Sequence, residues 1–89
     1  MTEENFDKYP LNELKSGEEG EIGEIYGGGG FTQKLSVRGI RVGKKIKKIS
    51  GYPLRGPVVI DVEGSGICTM GYGMAKRIMV YVYETDEKP

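Results

Sequence analysis

The sequence predicts a mainly β protein: a small closed barrel of five short strands, with one short helix between the first and second. Three observations lead there. Glycine supplies 15 of 89 residues without a collagen-like period, which points to many tight turns. Turn signals recur at the roughly 8–12-residue spacing of small all-β domains. Two runs, "PVVIDVEG" and "MVYVYE", carry the alternation and the β-branched and aromatic enrichment of strands. A chain of this length makes one domain, and a sandwich would need about seven strands.

Taken in order, the first eight residues are polar and are expected to be a flexible N-terminus, as are 85–89 at the other end, leaving a domain over 9–84. In "YPLNELKSGEEGEI", Leu11 and Leu14 are three apart, so one 3₁₀ or helical turn aims both inward. "GEIGEIYG" reads as the first strand; Ile22 and Ile25 break strict alternation, and Gly23 between them is the natural place for a bulge. After four glycines, "FTQKLSVRG" reads as a two-turn helix with Phe31 and Leu35 on one face, Thr32 as a candidate cap and Gly39 as its left-handed stop. "IRVGKKIKKISGYPL" returns to extended chain, where Ile46 and Ile49 again require a bulge or two apolar faces, and "YPLRG" is a turn. Val58, Ile60 and Val62 share one face of the next strand while Val59, Asp61 and Glu63 share the other. "ICTMGYG" is a strand interrupted by Gly71, "MAKRI" a single helical turn, and "MVYVYE" the last strand.

Composition excludes several function classes. There is no His and one Cys, so neither an internal disulfide nor a one-chain zinc site of Cys/His type can be built. The commonest general base is missing as well. Cys68 lies between Ile67 and Met70 and reads as a small core residue, not a nucleophile. Asp61 and Glu63 read as a solvated face. No catalytic constellation emerges, and the chain is expected not to be an enzyme and to carry no cofactor or intrinsic metal. No apolar run approaches a membrane span, and the acidic N-terminus lacks the layout of a signal peptide. A soluble, cytoplasmic protein is expected.

The glycine run "GGGGFTQK" resembles a phosphate-binding loop at first sight. A P-loop needs Gly-Lys followed by Ser or Thr, which is absent. A dinucleotide fingerprint needs a βαβ unit and a downstream acid, and here the helix is short and the downstream region basic. The run therefore reads as a strand-to-helix joint.

Charge is zoned although the net charge is zero. Residues 1–24 carry eight acids and two bases; 25–60 carry eight bases (Lys34, Arg38, Arg41, Lys44, Lys45, Lys47, Lys48, Arg55) and no acid; 61–89 carry five acids and three bases. One reading is that strands from the three zones pair and neutralise one another. Another is that the basic zone meets a partner: an acidic protein surface, or nucleic acid, for which the zero net charge and the single nearby aromatic, Tyr52, argue poorly.

The ordered signals "PLNELKSGEEGEIGEI", a glycine-rich joint, "KLSVRGIRVGKKIKKI", "GPVVIDVEG" and "MGYGMAKRIMV" together resemble the FeoA family of ferrous iron transport proteins, over roughly Tyr9 to Tyr83. Val42 stands where the family usually has Pro, and Arg38 replaces a common apolar residue. The resemblance implies an SH3-like barrel and an accessory role in ferrous iron uptake. Its implied partner is the cytoplasmic part of a GTP-binding, FeoB-type membrane transporter. The same barrel resembles the C-terminal domain of iron-dependent repressors, but 89 residues leave no room for the DNA-binding part expected there. The surface expected to contact the partner is the helix and the basic strand after it: Phe31, Leu35, Arg38, Arg41, Lys44, Lys45, Lys47 and Lys48, with Phe31 and Leu35 read alternatively as entirely core.

Overall fold

In the computed structural model, described over residues 6–51 and 56–83, a single antiparallel sheet is built from six strands rather than five. The elements are β1 (Phe6–Pro10), a 3₁₀ turn (Leu11–Glu13), β2 (Glu19–Ile25), α1 (Gly29–Val37), β3 (Lys45–Gly51), β4 (Val58–Val62), β5 (Gly66–Met70), α2 (Tyr72–Ala75) and β6 (Ile78–Tyr83). Their order across the sheet is β1-β6-β2-β3-β4-β5. The expected turn at "YPLRG" and the expected tail lie largely outside the described residues.

The added strand is β1. "FDKYP" has no apolar alternation of its own, and it is strand because β6 offers it a partner, from Phe6 opposite Tyr83 to Pro10 opposite Met79. Phe6 stacks on Tyr81 with ring centroids 4.5 Å apart. Hydrogen-bonded pairing does not join β1 to β5 among the described residues, so the barrel is a rolled sheet with two edges and not a closed ladder.

One face of the sheet holds the core: Ile22, Ile46, Val58, Ile60, Val62, Met70, Ile78 and Val80 are buried, joined by Leu11, Leu14, Leu35, Ile40 and Ala75 from the turns and helices. The apolar triplets that broke alternation are explained by bulges. The β2–β6 register slips between Ile22 and Glu24, so Gly23 is the extra residue and Ile22 and Ile25 both turn toward the core. The β3–β4 register slips between Lys48 and Ser50, which leaves Ile49 exposed rather than packed. Gly23 also makes room for an aromatic ring. A Cβ there would lie 2.3 Å from the Tyr81 side chain, so the bare backbone lets that ring lie flat across β2.

α1 ends as expected. Gly39 adopts φ +85°, its N–H donates to Ser36 O at 2.9 Å, and Ile40 N–H donates to Leu35 O at 3.0 Å. This is a Schellman motif, with Leu35 and Ile40 both fully buried as its apolar pair. The helix starts earlier than expected, inside the glycine run. Gly28 is the N-cap, and Thr32 lies within the helix, its hydroxyl donating back to Gly28 O at 3.2 Å. Side chains at Gly28, Gly29 or Gly30 would meet nothing within 4 Å, whereas one at Gly27 would strike Phe31 at 2.5 Å. α2 likewise begins at Tyr72, two residues before the expected turn.

These contacts order the glycines. Gly30→Ala is expected to raise stability by about 0.4–1 kcal/mol, because the unfolded chain loses freedom and nothing clashes. Gly23→Ala is expected to lower it by about 1–3 kcal/mol through displacement of the Tyr81 ring. Urea denaturation midpoints of the two variants check both; equal effects would show that the ring is free to move.

Candidate functional site

The outward face of the sheet places the charge zones side by side. Across β2, β3 and β4, Glu19 stands opposite Lys47 and Lys47 opposite Asp61; Glu21 stands opposite Lys45, whose carbonyl accepts the Glu63 N–H at 2.9 Å. Acidic, basic and acidic strands thus alternate, the arrangement in which cross-strand charges offset one another. Between them runs an open groove of about 560 Å³, lined by these charged residues with Tyr83 at one side.

The eight residues expected to form one contact surface do not stay together. Leu35 is buried in the core, and Phe31 packs against the core with the Arg77 guanidinium 5.1 Å over its ring. Lys44 is half-buried and its ammonium donates to Glu63 O at 3.2 Å. Lys45 and Lys47 are exposed but flanked by acids. Arg38 and Arg41 are exposed at the end of α1, where Arg41 Nε–H donates to Ser36 Oγ at 3.2 Å.

Lys48 is the clearest correction. It is 4% exposed, so it presents nothing to a partner. Its ammonium donates to Asn12 O at 3.1 Å and Leu14 O at 2.6 Å, the carbonyls left without helical partners at the end of the 3₁₀ turn. Burial pushes its pKa below the usual lysine value, with the Glu18 charge pulling the other way.

A second cluster was not expected from the sequence. The Glu24 carboxylate accepts from Tyr26 OH, from Tyr81 OH at 2.7 Å and from the Lys8 ammonium at 3.4 Å. The Tyr26 and Tyr81 hydroxyls, ahead of Lys8, hold its pKa below the ordinary carboxylate range. The same hydrogen bond, with desolvation, pushes the Tyr81 phenol up to about 12. The available signal was that Tyr81 and Tyr83 alternate with Val80 and Val82, facing outward opposite β1 and β2. This cluster pins β1, β2 and β6 together from outside. Cys68 is half-buried and packs against the core. No grouping of three His, Cys, Asp or Glu side chains fit to hold a metal ion occurs among the described residues.

Comparison with known proteins bears on this architecture. The FeoA domain profile matches residues 9–82. The chain belongs to the FeoA family. It is 43% identical over 72 residues to a Methanocaldococcus jannaschii protein provisionally named Fe(2+) transport protein A, covering 81% of this chain and 84% of that one. A crystal structure described as the iron uptake regulatory protein FeoA superposes with TM-score 0.77 at 33% identity, covering 88% of this chain and all of that one. The solution structure of FeoA from Chlorobium tepidum gives TM-score 0.75 at 28% identity, covering 89% and 74% of the two chains. The SH3-like barrel of these FeoA structures is therefore the fold here, with β1 as a strand that no sequence pattern announced.

In this FeoA chain Lys48→Met, which keeps the apolar stem, is expected to cost about 2–4 kcal/mol by stranding one buried and one part-buried carbonyl. Chemical denaturation measures it; a loss below about 0.5 kcal/mol would mean that water replaces the ammonium.

The Glu24 cluster predicts pH behaviour. A carboxyl whose folded pKa is lowered adds stability above its unfolded pKa and loses it as pH falls through the folded one. The stability advantage of the native chain over Glu24→Gln should therefore shrink between neutral pH and about pH 3. In tyrosinate absorbance titrations one phenol should ionise near 12, and in Glu24→Gln it should move toward about 10.

Proposed function

We propose that this protein is an accessory interaction module in ferrous iron uptake, acting in the cytoplasm by binding the cytoplasmic part of a GTP-binding, FeoB-type membrane transporter of ferrous iron. The observation that carries this reading is the FeoA match over residues 9–82, supported by the Fe(2+) transport name of its 43%-identical relative. No helix among the described residues is long and apolar enough to cross a membrane, so the role we assign is docking to a membrane protein.

The chemistry of the chain agrees with cargo that belongs to the transporter. With no His and a single Cys, it lacks the imidazole and thiolate donors that suit transition-metal ions, and its carboxylates favour harder cations. A regulatory domain has no need of a nucleophile or base, and we assign none. The alternating charge of β2, β3 and β4 weighs against a nucleic-acid role, since the lysines of β3 face acids and do not form an open phosphate track.

The test pairs transport with capture. Cells lacking the protein should take up radioactive ferrous iron several-fold more slowly, with uptake restored by the native chain. A tagged chain should co-purify the transporter from detergent-solubilised membranes. Unchanged uptake together with no co-purified transporter would overturn the reading.

A further inference from the structure

We infer that the end of α1 and the turn after it form the docking surface of this protein, and that it receives an acidic segment carrying aliphatic side chains. The inference rests on the transporter-binding reading and deepens it by moving the contact away from β3. On the sheet, Lys45 and Lys47 face Glu19, Glu21 and Asp61 across strands. At the end of α1 the balance is different. Lys34, Arg38 and Arg41 are all exposed, and no carboxylate of the described residues lies within ion-pair distance of them. Among the described residues Lys45 and Lys47 form no close ion pair either, but each has an acid opposite it on a neighbouring strand, whereas the three cations at the end of α1 stand on no strand that faces an acid.

Two valines accompany it. Val37 is 82% exposed and Val42 is 61% exposed. Neither position is explained by local structure. Val37 closes α1, where a β-branched side chain is a mediocre helix former. Val42 lies in a turn closed by Lys44 N–H to Arg41 O at 3.1 Å, with Gly43 at φ +96°. Before such a glycine a type II turn favours Pro, and an exposed Val adds nothing to it. The favourable interaction of cations with a helix C-terminus accounts for the sign of the charge; it does not account for apolar side chains left in water among it.

The surface is also held in place. The Schellman bonds fix residues 36–40, Arg41 Nε–H reaches back to Ser36 Oγ, and Gly39 is pressed against Ser65 of the β4–β5 turn so closely that an added Cβ would lie 2.0 Å from its Oγ. A preordered patch loses little entropy on binding. Cations around aliphatic side chains complement a segment with acids around its own aliphatic side chains, the acids raising the encounter rate and the apolar contact slowing release.

The experiment is calorimetric titration of the purified protein with the cytoplasmic region of the transporter, using three variants whose folds are checked by amide NMR spectra. Arg38→Glu with Arg41→Glu, and Val37→Ser with Val42→Ser, should each weaken binding at least about tenfold, and the native affinity should fall with added salt. Ile67→Ser, at a 63% exposed apolar residue of edge strand β5, should leave it unchanged. Native-like binding by either patch variant, with the native protein binding, would overturn the inference while the transporter reading stands. Loss only in the arginine variant would mean charge alone is read, as by a nucleic acid, and also overturns it. No binding by the native protein would count against the inference and the transporter reading together.

Discussion

A single ammonium, that of Lys48, holds the 3₁₀ turn onto the sheet. The segment before β2 must carry Leu11 and Leu14 into the core, and a tight turn that does so ends with carbonyls that have no helical partner. Lys48 reaches them from β3 with a long apolar stem and a charged tip, while its backbone takes Gly17 N–H at 2.7 Å and gives its own N–H to Glu18 O at 3.0 Å. Four hydrogen bonds from one residue therefore set where the chain enters β2. The register of β2 on β3, and with it the alignment of acids opposite lysines, depends on that point of entry.

The outside of β1, β6 and β2 is organised by a comparable economy. A bulge at Gly23 turns two isoleucines inward and at the same time clears room for the Tyr81 ring, whose hydroxyl reaches Glu24. Glu24 then gathers Tyr26 and Lys8. One unpaired residue in the ladder thus serves the core on one side and a polar clamp on the other, which is why a strand as unpromising as "FDKYP" stays in place.

Much of this was legible in the sequence, and the failures have physical causes. Val58, Ile60 and Val62 showed their shared face because the extra residue of the β3–β4 ladder falls on β3, leaving β4 itself unbroken and in regular register with β5. The three-residue apolar spacings announced the bulges, and Gly39 announced the end of α1. β1 was invisible because its stability is borrowed from β6 and from ring stacking, which no local pattern encodes. Lys48 was misplaced although a signal existed: it is two residues from Ile46 and so shares its inward face, but a run of four lysines reads as surface when each is judged by residue type. The eight residues expected to form one contact surface came apart for the same reason. Charge counted along the chain ignores which acids the fold brings opposite: among the described residues of the basic zone, Lys45 and Lys47 face acids across strands while Lys34, Arg38 and Arg41 do not.

The two sheet edges have a consequence for how the molecule survives in a crowded solution. Among the described residues β1 and β5 each lie at an edge of the sheet, the position that invites pairing with a second copy. β1 answers with Lys8 and with Pro10, which has no N–H to offer. β5 is only five residues long, starts on Gly66 and is followed at once by Gly71 and the turn of α2. Resistance to edge-to-edge pairing thus falls to a few residues at the margins, and the core residues that make the barrel stable contribute nothing to keeping one barrel apart from the next.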